Sequence, residues 1–128
     1  MAVRPFEVAE LDHVVLRCRD RERMLDFYTG VLGLTEERRV DAIGLVQLRA
    51  GRSMIDLVPA AAGVADGGSL DHLCLDIDAK SLDVVTAYLE RHGVTPLAPP
   101  METYGAHGMG TSVYVRDPEG NVVELKTA

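Results

Sequence analysis

The tripeptide Leu-Asp-His occurs twice, at Leu11-Asp12-His13 and Leu70-Asp71-His72, and each copy opens the same series of landmarks. An apolar strand follows each His, then a stretch of helical periodicity carrying Tyr28 or Tyr88, then Gly33-Leu34-Thr35 or Gly93-Val94-Thr95. Each half closes on an acid between apolar residues, Ile55-Asp56-Leu57 or Val123-Glu124-Leu125. The chain is an internal duplication, so each half contributes one His and one carboxylate at matching points of its fold. If strands of the two halves face each other across one sheet, these four groups, distant in sequence, come to a single point.

Periodicity fills in each copy. Leu11 to Cys18 alternates as a strand, with Val14, Leu16 and Cys18 on one face and His13, Val15 and Arg17 on the other. Asp20 is a helix N-cap, followed by the stripe Met24, Phe27, Tyr28, Val31, Leu32 and a C-terminal Gly33. Three strands are predicted near 34–40, 44–50 and 53–58, with breaks at Asp41 and Gly51-Arg52. In the last of them Met54, Asp56 and Val58 lie opposite Ile55 and Leu57. The half reads βαβββ, and the small, Gly-rich stretch 60–68 reads as a connector.

The second half repeats the order. His72, Cys74 and Asp76 alternate with Leu73, Leu75 and Ile77, and a helix is predicted from about Lys80 to His92, ended by Gly93. Leu97 to Gly110, with Pro99-Pro100 and three glycines, lengthens this half and is expected to be an active-site loop carrying His107. Ser112, Tyr114 and Arg116 alternate with Val113 and Val115, and Asp117-Pro118-Glu119-Gly120-Asn121 turns the chain into the final strand, with Glu124 facing away from Val123 and Leu125. The expected fold is therefore α+β, one domain over 1–128. It contains two tandem βαβββ modules, about 8–60 and 70–128, joined by a linker at about 61–69.

Composition narrows the classes of partner. With 128 residues, 47% apolar and 26% charged, the chain has ordinary globular make-up. A net charge of -7 argues against nucleic acid or an anionic membrane surface as principal partner, since both are bound through excess Lys and Arg. No apolar run approaches the ~20 residues that span a bilayer and the start has no apolar signal segment, so the expected location is the cytoplasm. Cys18 and Cys74 sit at non-equivalent positions, form no Cys-x-x-Cys and are expected to be buried free thiols.

The duplicated groups suggest chemistry. A single strand His is more often a hydrogen-bonded core residue than a ligand, and a single Glu near a C-terminus is usually solvated. The metal reading rests on their recurrence in the same phase of duplicate modules. Two imidazoles and one or two carboxylates suit one divalent ion such as Zn, Ni, Mn or Fe, leaving positions open for water or a substrate oxygen. His13, His72 and Glu124 are the expected ligands. Asp56, one methylene shorter than Glu, reaches the ion directly or through a water. Such an ion acts as a Lewis acid, with Glu124 or Asp56 as proton carrier. Strand alternation sets Gln47, Arg49, Ser112 and Tyr114 on the ligand face, where they line a substrate cup beneath His107.

Beyond the two Leu-Asp-His copies, Asp26-Phe27-Tyr28, Val31-Leu32-Gly33-Leu34 and the Asp117–Asn121 turn into Val123-Glu124-Leu125 give a pattern covering nearly the whole chain. It resembles the vicinal oxygen chelate superfamily, which holds glyoxalase I, fosfomycin-resistance enzymes, extradiol dioxygenases, methylmalonyl-CoA epimerase and bleomycin-binding proteins. The resemblance implies curved mixed sheets enclosing a metal-binding cup, very often in a homodimer, and a small-molecule substrate. It carries ligand roles onto His13, His72 and Glu124, with Asp56 standing where glyoxalase I has a glutamate. The expected function is metal-stabilised proton transfer or addition on a small oxygenated substrate, of lyase or isomerase type. One alternative is an extradiol-type dioxygenase, for which His107 and Tyr104 are the available acid/base residues. The other is a non-catalytic drug-binding protein similar to the bleomycin-resistance type, which the retained ligand set and the lack of Trp disfavour.

Overall fold

A computed structural model of the chain describes residues 3–60, 69–116 and 121–128. Most of the linker expected at 61–69, and Asp117 to Gly120 of the expected turn, lie outside the described residues. The chain forms two compact units, one of His13–His72 and one joining the residues before His13 to those after His72.

In the first unit, strand β1 (Phe6–Cys18) supplies His13 onward. Helix α1 (Arg21–Leu25) follows, then β2 (Thr35–Val40), β3 (Leu45–Ala50) and β4 (Ser53–Pro59). The strands lie in the order β2-β3-β4-β1. β4 runs parallel to β1, while β2 with β3 and β3 with β4 are antiparallel. This is the expected βαβββ module. Its core is Cys18, Leu25, Val46, Leu48 and Leu57, flanked by Leu16, Met24, Tyr28, Leu34 and Ile55. Strand alternation fixes the consequence: with Leu16, Val46, Leu48, Ile55 and Leu57 facing the helix, His13, Gln47 and Asp56 face the other way.

The second unit repeats the plan with β5 (Leu70–Ala79, from Leu73), α2 (Leu82–Arg91), β6 (Met101–Gly105), β7 (Gly108–Arg116) and β8 (Val122–Thr127). The order is β5-β8-β7-β6, with β8 parallel to β5 and the other pairs antiparallel. Ile77, Leu82, Val85, Val113 and Leu125 form the core. Phe6, from the start of β1, packs edge-on against Tyr88 at 5.8 Å. Mixed α+β architecture with paired βαβββ modules is thus the observed fold class.

The expected N-cap Asp20 and the expected terminal glycines Gly33 and Gly93 hold their places at the ends of the helical segments. Asp20 caps the N-terminus of α1 through the Arg23 amide, and Ser81 caps α2 through the Val84 amide. Gly33 and Gly93 turn the chain out at φ +81° and +78°, a left-handed conformation that L side chains rarely adopt. Helix α2 is slightly shorter than expected, and β1 begins five residues earlier, at Phe6.

Two expectations are corrected. The first concerns the stripe Met24, Phe27, Tyr28, Val31, Leu32. After Leu25 the helix widens into a π turn over Asp26–Val31, in which the Leu32 amide donates to the Phe27 carbonyl five residues back, at 3.0 Å. The extra residue per turn rotates the later side chains off the i, i+3, i+4 face. Phe27, Val31 and Leu32 are consequently exposed, and Leu25, outside the stripe, is the buried residue. The second concerns Leu97 to Gly110. From Met101 onward this segment is strand, the β6–β7 hairpin, rather than a covering loop. Gly110 serves close strand packing, since a Cβ there would stand 2.0 Å from the Thr127 carbonyl oxygen.

Candidate functional site

Parallel pairing within each module sets the acids. On β4, Asp56 lies opposite Val15, two residues after His13. On β8, Glu124 lies opposite Cys74, two residues after His72. The same register appears in both copies, so the duplication read from the sequence holds at the level of individual strand partners.

In the first unit the His13 and His72 rings meet edge to face, centroids 5.7 Å apart. Each offers a ring nitrogen within 4.8 Å of the other's. His13 is buried, 3% exposed. His72 Nδ1 lies 2.7 Å from Asp71 Oδ2, and Asp71 Oδ1 is bound by Arg17 at 2.9 Å. A carboxylate at Nδ1 keeps the proton on that nitrogen and presents Nε2 as the electron-pair donor, the arrangement that supports a metal-ligating imidazole. Asp56 Oδ2 lies 3.9 Å from His13 Nε2 and accepts from Gln47 Nε2 at 3.0 Å. Gln47 Oε1 in turn accepts from Arg38 at 3.2 Å. The amide thus sits between a cation and an anion, with its donor end fixed toward Asp56. Arg49 makes a bidentate pair with Glu37 at 2.8 Å for each bond.

In the second unit Glu124 is buried, 1% exposed. Its Oε2 accepts from Ser112 Oγ at 2.7 Å, and Thr103 Oγ1 stands 3.0 Å from the same oxygen and 2.6 Å from the Ser112 hydroxyl. Tyr114 lies directly opposite Glu124 across the β7–β8 pair. Lys126, two residues beyond Glu124 and equally buried, donates to the Gly108 carbonyl at 2.9 Å. His107 occupies the tight turn between β6 and β7. Its Nε2 contacts Glu10 Oε1 and lies 3.9 Å from Asp76 Oδ2. Tyr104 is on β6, opposite Met109, and Arg116 is exposed at the end of β7.

Burial pushes the Asp76 carboxyl above the usual aspartate range. His107 and Lys126 pull it down, while Asp12 and Glu10 raise it further. Burial likewise raises the Cys18 thiol, which keeps it protonated and inert. Neither cysteine forms a disulfide and both are buried, as expected.

Four contributors were not singled out from sequence. Asp71 and Arg17 orient His72, Thr103 supports Glu124, and Lys126 shares the Glu124 face. Thr103 lay hidden in the segment taken for a loop, and strand alternation two residues past Glu124 would have found Lys126.

The donor chemistry fits a divalent ion. Within the first unit, two ring nitrogens face one another and one is backed by a carboxylate, and among the described residues no helix is long and apolar enough to cross a membrane. Comparison with known proteins agrees on the family. The model of the Glyoxalase/Bleomycin resistance protein/Dioxygenase superfamily matches residues 10–125. A glyoxalase domain-containing protein of Mycosarcoma maydis, RDO1, is 32% identical over 97% of this chain and 71% of its own length. Among solved structures, the 2,3-dioxygenase LapB from Pseudomonas sp. KL28 is 26% identical with a TM-score of 0.73, covering 94% of this chain and 41% of its own. The Mn(II)-bound glyoxalase from Novosphingobium aromaticivorans has the same TM-score at 22% identity, over 94% of this chain and 38% of its own.

Proposed function

This chain belongs to the glyoxalase/bleomycin resistance protein/dioxygenase superfamily, and from that membership we propose that it is a divalent-metal enzyme of glyoxalase type. Its substrate is a small molecule with neighbouring oxygens, and the reaction is proton transfer or addition at a carbon beside them. His13 and His72 hold the ion, Glu124 completes the ligand set, and the working form is a homodimer. The observation that carries the reading is the His13–His72 pair, 5.7 Å between rings, with Asp71 on the far nitrogen of His72. With a carboxylate on Nδ1, the Nε2 lone pair of His72 is the one available to a cation.

When bound, the ion would supply Lewis-acid polarisation of a substrate oxygen. The remaining work falls to the chain's own groups. Asp56 takes the proton. Gln47 Nε2 donates to its Oδ2 and positions the carboxylate. Arg38 holds the Gln47 amide in that orientation, so the Asp56 carboxylate cannot swing. Ser112 and Thr103 donate toward a single oxygen of Glu124 and hold that carboxylate in place.

Metal content tests the reading. Wild-type protein purified with added Mn2+ or Zn2+ and dialysed should retain at least one ion per chain, and His72→Ala should retain one fewer than wild type. Wild-type protein that takes up no divalent ion would leave the drug-sequestering alternative. The likeness to LapB, described as a 2,3-dioxygenase, supports a second reading as an extradiol dioxygenase. Oxygen uptake with catechols by Fe2+-loaded protein separates the two.

A further inference from the structure

We propose that Glu10, Asp76 and His107 form a second divalent-cation site, with a ligand set that shares no residue with His13, His72 and Glu124. The three come from separate elements of the second unit: the start of β1, β5 and the β6–β7 turn. One ligand atom from each lies within 4.8 Å of the other two. Two carboxylate oxygens and an imidazole nitrogen are a donor set for Zn2+ or Mn2+. The residues are part exposed, with His107 at 39%, so the ion keeps water in its open positions and exchanges with solvent.

The turn that presents His107 is built into place from beneath. Asp12, fully buried, accepts from the Ala106 amide at 2.8 Å. Gly105 sits so close that a Cβ there would stand 2.3 Å from Asp12 Oδ1. On the other side of His107, buried Lys126 holds the Gly108 carbonyl. Two buried charged side chains therefore fix the backbone on either side of one half-exposed imidazole. Preorganisation of this kind is what a ligand requires and what a solvated surface histidine does not.

Charge balance favours a cation. Of the groups that act on the Asp76 carboxyl, Glu10 and Asp12 are carboxylates, set against Lys126 and His107. A dication between Glu10 and Asp76 removes their mutual repulsion and offsets the burial of Asp76. It also ties the start of β1 to the β6–β7 hairpin, so it stabilises the folded second unit by mass action.

The chelator-stripped chain titrated with Zn2+ alone tests this, with bound ions counted by equilibrium dialysis. Wild type should bind about two ions per chain, His107→Ala about one, and His72→Ala about one, each single variant having lost a different class of site. The conservative Asp76→Asn should weaken the second class at least about 10-fold while retaining the first. Unchanged far-UV circular dichroism of the stripped variants checks that each is folded. A His107→Ala protein that keeps the wild-type count and affinity overturns the second site. If His107→Ala loses one ion and His72→Ala loses none, the second site stands and the reading of His13 and His72 falls.

Discussion

Asp12 and Asp71 occupy the same place in the two Leu-Asp-His copies and do different work. Asp12 turns into the protein, fully buried, and bonds the Ala106 amide ninety-four positions away. Asp71 stays near the surface, its side chain 37% exposed, and bonds the imidazole of its own neighbour, His72, with Arg17 behind it. One copy has put its aspartate to holding a distant hairpin, the other to orienting the histidine beside it. Duplication preserved strand register, since Asp56 and Glu124 each lie opposite the residue two beyond the histidine of their module, but left the flanking carboxylate able to diverge. A shared motif therefore predicts the placement of a side chain far better than its partner.

Exchanging the roles should break this comparison if it is wrong. The largest effect is expected at Asp12. Asp12→Ala strands the buried Ala106 amide and empties the space against Gly105, at a cost of about 3 kcal/mol in urea unfolding. Asp71→Ala should cost about 0.5 kcal/mol or less in stability, yet weaken metal binding about 10–100-fold, because His72 loses the group that fixes its tautomer. Should both variants lose stability equally and leave metal affinity alone, Asp71 is no more than a surface partner of Arg17.

The acids offer a finer test. Gln47→Leu removes one directed donor to Asp56 and should cost about 1–2 kcal/mol, whereas Ser112→Ala leaves Thr103 beside Glu124 and should cost about 1 kcal/mol or less. Equal losses would mean that the hydroxyl pair does not share its load.

The smallest effect sets the baseline for an exposed ion pair. Glu36, hydrogen-bonded by Arg39, has its carboxyl held below its ordinary value of 4.5. A depressed carboxyl contributes stability above the unfolded pKa and loses it as pH falls through the folded one. Glu36→Gln should thus lower the melting temperature slightly at neutral pH, and the difference should shrink below about pH 4.5 and vanish in more acid solution. A gap that widens in acid would reverse the assignment.

Much of this arrangement is legible in the chain itself. Period-two alternation placed His13, Asp56, Ser112 and Glu124 on the faces they occupy, because each strand has one greasy side that must meet a helix. Asp20, Gly33 and Gly93 marked helix ends through local chemistry that needs no tertiary context. What escaped depends on distant partners. Nothing near Asp12 announces Ala106, and Pro99-Pro100 with three glycines imitates a loop where Gly105 in fact admits Asp12, Gly110 admits the last strand and Gly108 makes the turn. The π turn after Leu25 is a shift of one residue in hydrogen bonding, invisible to a periodicity averaged over the whole segment.

The central claim is that His13 and His72 hold one ion between them, and long-range proton–nitrogen correlation of the imidazoles measures it most directly. On adding one equivalent of Zn2+ to chelator-stripped protein, a ring nitrogen of His13 and Nε2 of His72 should shift together to metal-bound values, with His72 Nδ1 remaining protonated toward Asp71. Ring signals of both residues that stay unmoved at saturating Zn2+, in a folded protein, would contradict the account.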